Sequence, residues 1–184
     1  PQKADFTFYG GIYRDVELLT VSKTHFELDH FAGPGIKVTP EVKGKDADIR
    51  VETWTNAEGD VKVTLLDAEG NVVAEGNGTD TTLKVADVHL WDGVADPYLY
   101  TVEAKLTVDG KAVDKVQTTC GVRYYKFDPD KGFFLNGRPY NLHGVSRHQD
   151  FKGIGNAIKK EHHDKDMELI REIGANTIRL AHYQ

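Results

Sequence analysis

The chain has 184 residues, 39% of them hydrophobic and 28% charged, which is enough for one full domain and part of a second. No apolar run approaches the ~20 residues that a membrane-spanning helix needs, so a membrane protein is not expected. The 23 basic and 29 acidic residues give a formal charge of −6, and no Lys/Arg cluster could neutralise a row of phosphates, so nucleic acid is not an expected partner.

The opening "PQKADFTFYG" has neither an initiator Met nor a charged-then-apolar leader, so the chain is expected to begin inside a longer protein. "GIYRDVELLTV" then alternates Ile12, Val16 and Leu18 with other residues, as a strand would. "AGPG" breaks the pattern. Beyond it "IKVTPEV", "ADIRVETW", "VKVTLL" and "TTLKV" each alternate at period two, separated by the turn signals "NAEGD", "DAEGN" and "GNGTD". "YLYTVEAKLTV" is expected to be the longest strand, with Tyr98, Tyr100, Val102, Ala104, Leu106 and Val108 on one face. "KAVDKVQTTC" is less regular and reads as an edge strand. About seven short strands between Ile36 and Arg123 fit an immunoglobulin-like β-sandwich. Cys120, the only cysteine, can form no internal disulfide and reads as a small buried apolar residue.

The texture changes near Asp128. "FFLNGRPYNLHGV" carries two apolar runs around Asn136-Gly137, a strong hairpin signal. In "KEHHDKDMELIREIG", Met167, Leu169, Ile170 and Ile173 make an apolar stripe at helical spacing, from about Glu161 to Ile173, and Gly174 stands where a C′ residue belongs. "ANTIRLAHYQ" returns to a strand. Strand (Tyr140 to Val145), helix, strand (Asn176 to Leu180) is a parallel βαβ unit. In such folds chemistry collects beyond the carboxyl ends of the strands, so "SRHQD" and "AHYQ" are expected on one rim.

Two readings of that rim stand side by side. Arg147, His148 and Asp150 are either an exposed loop, with the charges solvated, or a surface that hydrogen-bonds a polar ligand. Arg179, within an otherwise apolar strand, is expected to point inward toward a carboxylate partner. The histidines from His143 to His182 lack metal-ligand spacing, and no metal site is expected from them. "GIGNAI" is not a phosphate loop. Asn77-Gly78-Thr79 matches a glycosylation sequon, a frequent chance match in a turn. Ser146 lies in no G-x-S-x-G, so no serine nucleophile is expected.

The order "FYGGIYRDVEL", "HLWDGVADPYLYTVEAKL", "CGVRYYKFD", "FFLNGRPYNLHGVSRHQD" and "GANTIRLAHYQ" resembles glycoside hydrolase family 2, and within it the bacterial β-galactosidases. The resemblance runs over essentially the whole chain. It implies that residues 1–22 end a jelly-roll domain resembling a sugar-binding module, that 23–123 form the immunoglobulin-like domain, and that 124–184 begin a (β/α)8 barrel carrying the active site. The fold class expected is therefore mainly β, a sandwich followed by the first βαβ portion of a truncated barrel.

The family is retaining, with one Glu as acid/base and a second as nucleophile, their carboxyls about 5 to 5.5 Å apart. The acid/base lies in an Asn-Glu pair, which this chain lacks, and a whole barrel takes ~250 residues. The resemblance thus implies a fragment without catalytic residues of its own, inactive alone, with both glutamates beyond Gln184. It implies that His148, Asp150 and His182 line the sugar pocket and that Arg179 orients the nucleophile. These types suit the roles: imidazoles and a carboxylate bond sugar hydroxyls, and a guanidinium fork holds a Glu ionised.

The expected partner is a β-linked carbohydrate. "SRH" favours a galactoside over a glucuronide, with mannosidase-like activity a further alternative. No cofactor is evident. Metal dependence, a homo-oligomeric parent, and a bacterial cytoplasmic or periplasmic setting stay open. A non-catalytic β-sandwich binding or adhesion module is the competing class; an exposed aromatic platform at Trp54 or Trp91 would favour it.

Overall fold

A computed structural model describes residues 8–30 and 33–181. Its contacts group the chain into two compact units, one of Thr20–Tyr140 and one formed by the residues before and after that stretch.

The first unit is the sandwich. β1 (Ile36–Lys43), β2 (Asp46–Thr53) and β5 (Asp80–Val85) form one antiparallel sheet in the order β1-β2-β5. β3 (Asp60–Leu66), β4 (Val72–Asn77), β6 (Tyr100–Val108) and β7 (Lys111–Cys120) form the other, in the order β4-β3-β6-β7. Period-two alternation places Ile49, Val51, Leu83 and Val85 on the inner face of one sheet and Val61, Val63, Leu65, Val102, Ala104 and Leu106 on that of the other, all buried in one core. Seven strands and this order make the immunoglobulin-like sandwich that the alternation predicts. Cys120 is buried, and desolvation raises its thiol pKa.

Three differences from the expected strands have local causes. β4 was not distinguishable from turn because "VVAEGN" alternates weakly and leaves Val72 exposed. β7, with 10 residues, is longer than β6, with 9, although it does lie at a sheet edge. Residues 8–22 form no strand: Ile12, Val16 and Leu18 are exposed, and the run finds no ladder partner among the described strands.

A three-stranded meander, β8 (Tyr125–Asp128), β9 (Gly132–Leu135) and β10 (Arg138–Pro139), completes this unit. Its Asn136-Gly137 turn has positive φ at both residues, 49° and 78°, as a type I′ hairpin requires. Asn136 donates its side-chain amide to the Trp91 carbonyl at 3.0 Å, and Arg138 pairs with Asp92. These bonds hold the meander with the sandwich. They also explain why the strand expected from Tyr140 starts later: the Tyr140 N–H is already donated to the Phe133 carbonyl at 2.9 Å.

The second unit holds the βαβ motif: β11 (Gly144–Arg147), α1 (Lys160–Glu172) and β12 (Thr177–Leu180). β11 and β12 are parallel, in the register Gly144↔Thr177 to Arg147↔Leu180. α1 ends at a Gly174 of φ 80°, the C′ position read from sequence. Its stripe is largely exposed at Met167, Leu169 and Ile173. No helix among the described residues is long and apolar enough to cross a membrane.

Two stability outcomes follow. Leu65 is fully buried between the sheets, and Leu65→Ala should cost about 2–5 kcal/mol, read from urea unfolding of the chain. Several carboxyls of this unit lie below their ordinary range. Asp48 is lowered first by its hydrogen bond from Lys43, Asp80 by that from Arg50, and Asp67 by that from the Asn71 side chain. Folded pKa values below the ordinary 3.8 mean stability that is present above that pH and lost as pH falls through the folded values. The thermal midpoint should hold from pH 7 to about pH 5 and fall below about pH 4. A midpoint that rose on acidification would contradict these pairings.

Candidate functional site

The carboxyl ends of β11 and β12 lie side by side, because Arg147 pairs with Leu180 and the Ala181 N–H donates to the Arg147 carbonyl at 3.0 Å. His148, Gln149 and Asp150 follow β11 directly, and Ala181 follows β12. The loop after β11 and the described end of β12 therefore leave the strand pair at one rim. Asn176 fixes the other end of the pair. Its side-chain carbonyl accepts the His143 N–H at 2.8 Å, its amide donates to the Asn141 carbonyl at 2.8 Å, and its own N–H donates to the His143 carbonyl at 2.9 Å.

Alternation then decides which arginine is inside. In a parallel pair, registered residues point to the same face, so Arg147 faces with Leu180 and Ser146 with Arg179. Arg147 faces α1. It is only 7% exposed, donates Nε to Asp166 at 2.7 Å and stands 3.0 Å through Nη2 from His163 Nδ1. Arg179 is exposed on the opposite face. For Arg147 the sequence left solvated and ligand-bonding alternatives, and burial against α1 matches neither; Arg179, expected to point inward, lies on the face away from α1. For Arg147 the cause is a shift of β11 to Gly144–Arg147, which brings it into the ladder.

The helix histidines have structural duties. His162 Nδ1 accepts the Lys159 N–H at 3.0 Å, capping the first turn of α1, and its ring packs edge-on to Phe151 at 4.8 Å. His163 serves Arg147. Among the described residues no three His, Cys, Asp or Glu side chains are grouped to hold a metal ion.

Of the expected site residues, His148 and Asp150 come together. Both line a groove of ≈ 360 Å³ with Val145, Arg147, Phe151, Asp166 and Ile170. Arg179 does not line it. His182 lies outside the described residues. A contributor missed from sequence is Tyr9, whose phenol donates to Asp150 Oδ1 at 2.9 Å. A second is Arg14, which donates to the Gln149 side chain. The only signal for either was the quoted "FYGGIYRDVEL". Trp54 stacks on His30 at 3.6 Å, and Trp91 carries the Arg123 guanidinium over its ring at 4.8 Å. Both are half-buried and form no open platform.

The family model for glycosyl hydrolases family 2 matches residues 30–123, and that for the family's TIM barrel domain matches residues 129–184. This chain belongs to glycosyl hydrolase family 2. It is 41% identical to a β-glucuronidase of Bacteroides fragilis, over all of this chain and 29% of that protein. It is 34% identical to the β-galactosidase BoGH2A of Bacteroides ovatus, over 94% of this chain and 22% of that one. Among solved structures, the FMN-binding β-glucuronidase of Facaelibacterium prausnitzii L2-6 superposes with a TM-score of 0.94 at 43% identity, covering 100% of this chain and 30% of that one. A β-glucuronidase of Ruminococcus gnavus in complex with D-glucuronic acid gives 0.78 at 31%, over 88% and 27%. The chain thus spans less than a third of the length of these family 2 relatives.

The Arg147–Asp166 pair sets a stability outcome. Removing one partner of a buried pair strands the other charge. Asp166 keeps 19% side-chain exposure, so Arg147→Ala should cost about 3 kcal/mol, the low end for such pairs. Hydrogen exchange should show the lost protection in α1 and β11, with β1 to β7 unchanged. Equal loss across both units would contradict a pair whose effect is local.

Proposed function

We propose that this chain is part of a retaining β-glycosidase. His148, Asp150 and His182 would line its sugar pocket, and Arg179 would orient a nucleophilic Glu that is not among these residues. The observation that carries this reading is the shared rim: parallel β11 and β12 present His148 and Asp150 from one strand end and the approach to His182 from the other. The register that sets Arg179 beside Ser146, on the face opposite Arg147, supports the orienting role, since a guanidinium there suits a carboxylate supplied by another segment. Residues 1–22 then end a domain resembling a sugar-binding module, 23–123 are a spacer sandwich, and the segment from 124 enters the catalytic barrel.

For the substrate we infer a terminal β-glucuronide. The higher identities to β-glucuronidases, 41% and 43%, support it over the galactoside that "SRH" favours. The galactoside is kept as the second reading on a specific ground. A β-galactosidase at 34% and the rat β-glucuronidase at 32% match this segment about equally well, so the segment carries features that both activities share.

The test is hydrolysis of 4-nitrophenyl β-D-glucuronide, β-D-galactoside and β-D-mannoside by the longer protein that contains this segment and by the 184 residues alone. The longer protein should cleave the glucuronide fastest, and the segment should be inert on all three because it lacks the Asn-Glu pair. A galactoside preference selects the second reading. Turnover by the isolated segment, or inertness of the longer protein on every glycoside, would overturn the proposal.

A further inference from the structure

The residues before the sandwich and the loop after β11 meet at two places, across 141 positions in one case and 135 in the other. The Tyr9 phenol donates to Asp150 Oδ1 at 2.9 Å, and Arg14 donates to the Gln149 side-chain carbonyl. Between these bonds the Tyr9 ring rests on Gly155, where an added Cβ would come within 2.6 Å of Cε1 and Cζ. Gly155 has φ 56° and closes the loop on itself: its N–H donates to the Phe151 carbonyl at 2.8 Å, and the Phe151 N–H donates back at 3.1 Å. Glycine is required there twice over, by the left-handed backbone and by the ring.

We propose that Phe8–Arg14 is a clasp on the loop after β11, and that Tyr9 is a positioning residue that fixes the Asp150 carboxylate for a substrate hydroxyl. This rests on the reading of Asp150 as a sugar-hydroxyl acceptor. The chemistry suits that role. An ionised carboxylate accepts at about four lone-pair sites and a phenol donates a single hydrogen, so Tyr9 occupies one site and leaves the rest for a ligand. Because the phenol is neutral, the charge that strengthens a bond from a hydroxyl is retained. Asp150 is exposed on a loop and would otherwise sample several rotamers; ordering it beforehand removes that cost from binding. Arg14 on Gln149 keeps the clasp in register with the residue next to the carboxylate. A segment that contributes no rim residue of its own thus decides how one of them is held.

The experiment is a double-mutant cycle in the longer protein, with Tyr9→Phe, Asp150→Ala and both together, assayed on the better cleaved of 4-nitrophenyl β-D-glucuronide and β-D-galactoside. Tyr9→Phe should raise KM about five- to tenfold with kcat within about twofold, the pattern of lost binding rather than lost chemistry. The double variant should be no worse than Asp150→Ala alone, because Tyr9 then has nothing to hold. Independent, multiplying losses, or an unchanged KM in Tyr9→Phe, would overturn the clasp. If Tyr9→Phe does not fold, Gly155→Ala pushes on the same ring from the other side and should raise KM likewise; an unchanged KM there also overturns it. A wild-type protein inert on every glycoside sinks the glycosidase reading. The clasp is then decided by the same cycle in thermal unfolding, where additive shifts overturn it and coupled shifts support it.

Discussion

A two-stranded parallel sheet carries few hydrogen bonds and, with one helix above it, little buried apolar area. In the βαβ unit the ion pair of Arg147 with Asp166 is what fixes the helix on the strands. A guanidinium inside the layer between strand and helix has to be satisfied, and Asp166 and His163 on α1 satisfy it. The pair therefore dictates how α1 lies over β11. Since the Arg147 carbonyl also receives the Ala181 N–H, the residue that docks the helix also docks the end of β12. Breaking the side-chain pair would free α1 from β11, while the backbone bond to Ala181 would remain.

Asn176 does the corresponding work at the amino end of the strands. One side chain and its backbone bond to both His143 and Asn141, replacing the ladder that a longer β11 would have supplied. With polar fixings at both ends, the strands tolerate an open face at Ser146 and Arg179. In a (β/α)8 barrel the strand face turned away from the helices is the one filled by the other strands. Exposure of Arg179 on that face is the arrangement expected of a barrel's first strands, and it explains how a charged residue sits in a run that otherwise reads as apolar.

The sandwich was legible because its information is local. Period-two alternation names the inner face of each strand, and glycine-rich turns mark the ends, so β1, β2, β3, β5 and β6 can be read directly. β4 escaped because its residues are half polar and it pairs at an edge. The hairpin at Asn136-Gly137 and the helix ending at Gly174 were legible for the same reason: each is encoded by residues whose backbone preferences are distinctive. The site was less so. The strand expected over Tyr140 to Val145 runs instead over Gly144–Arg147, and that displacement is what turned Arg147 from a loop residue into a ladder residue facing α1. The histidines of "EHHD" were set aside as metal ligands without any other use being read for them, although a helix start needs acceptors for its free N–H groups, and His162 is one.

Tyr9 shows the limit of reading along the chain. Nothing within "FYGGIYR" announces a carboxylate partner, and nothing within "HQDFKGIG" announces a ring, because each half of the contact is an ordinary loop residue by itself. The two halves carry complementary requirements that appear only when they are placed together. Gly155 lacks the Cβ that would occupy the ring's position, and its left-handed φ turns the loop back so that Asp150 stands within reach of the phenol. The 141-residue separation puts the sandwich between the two halves in sequence. The second unit is accordingly assembled from both ends of the chain, and the geometry of its rim depends on a segment that precedes every residue read as part of it.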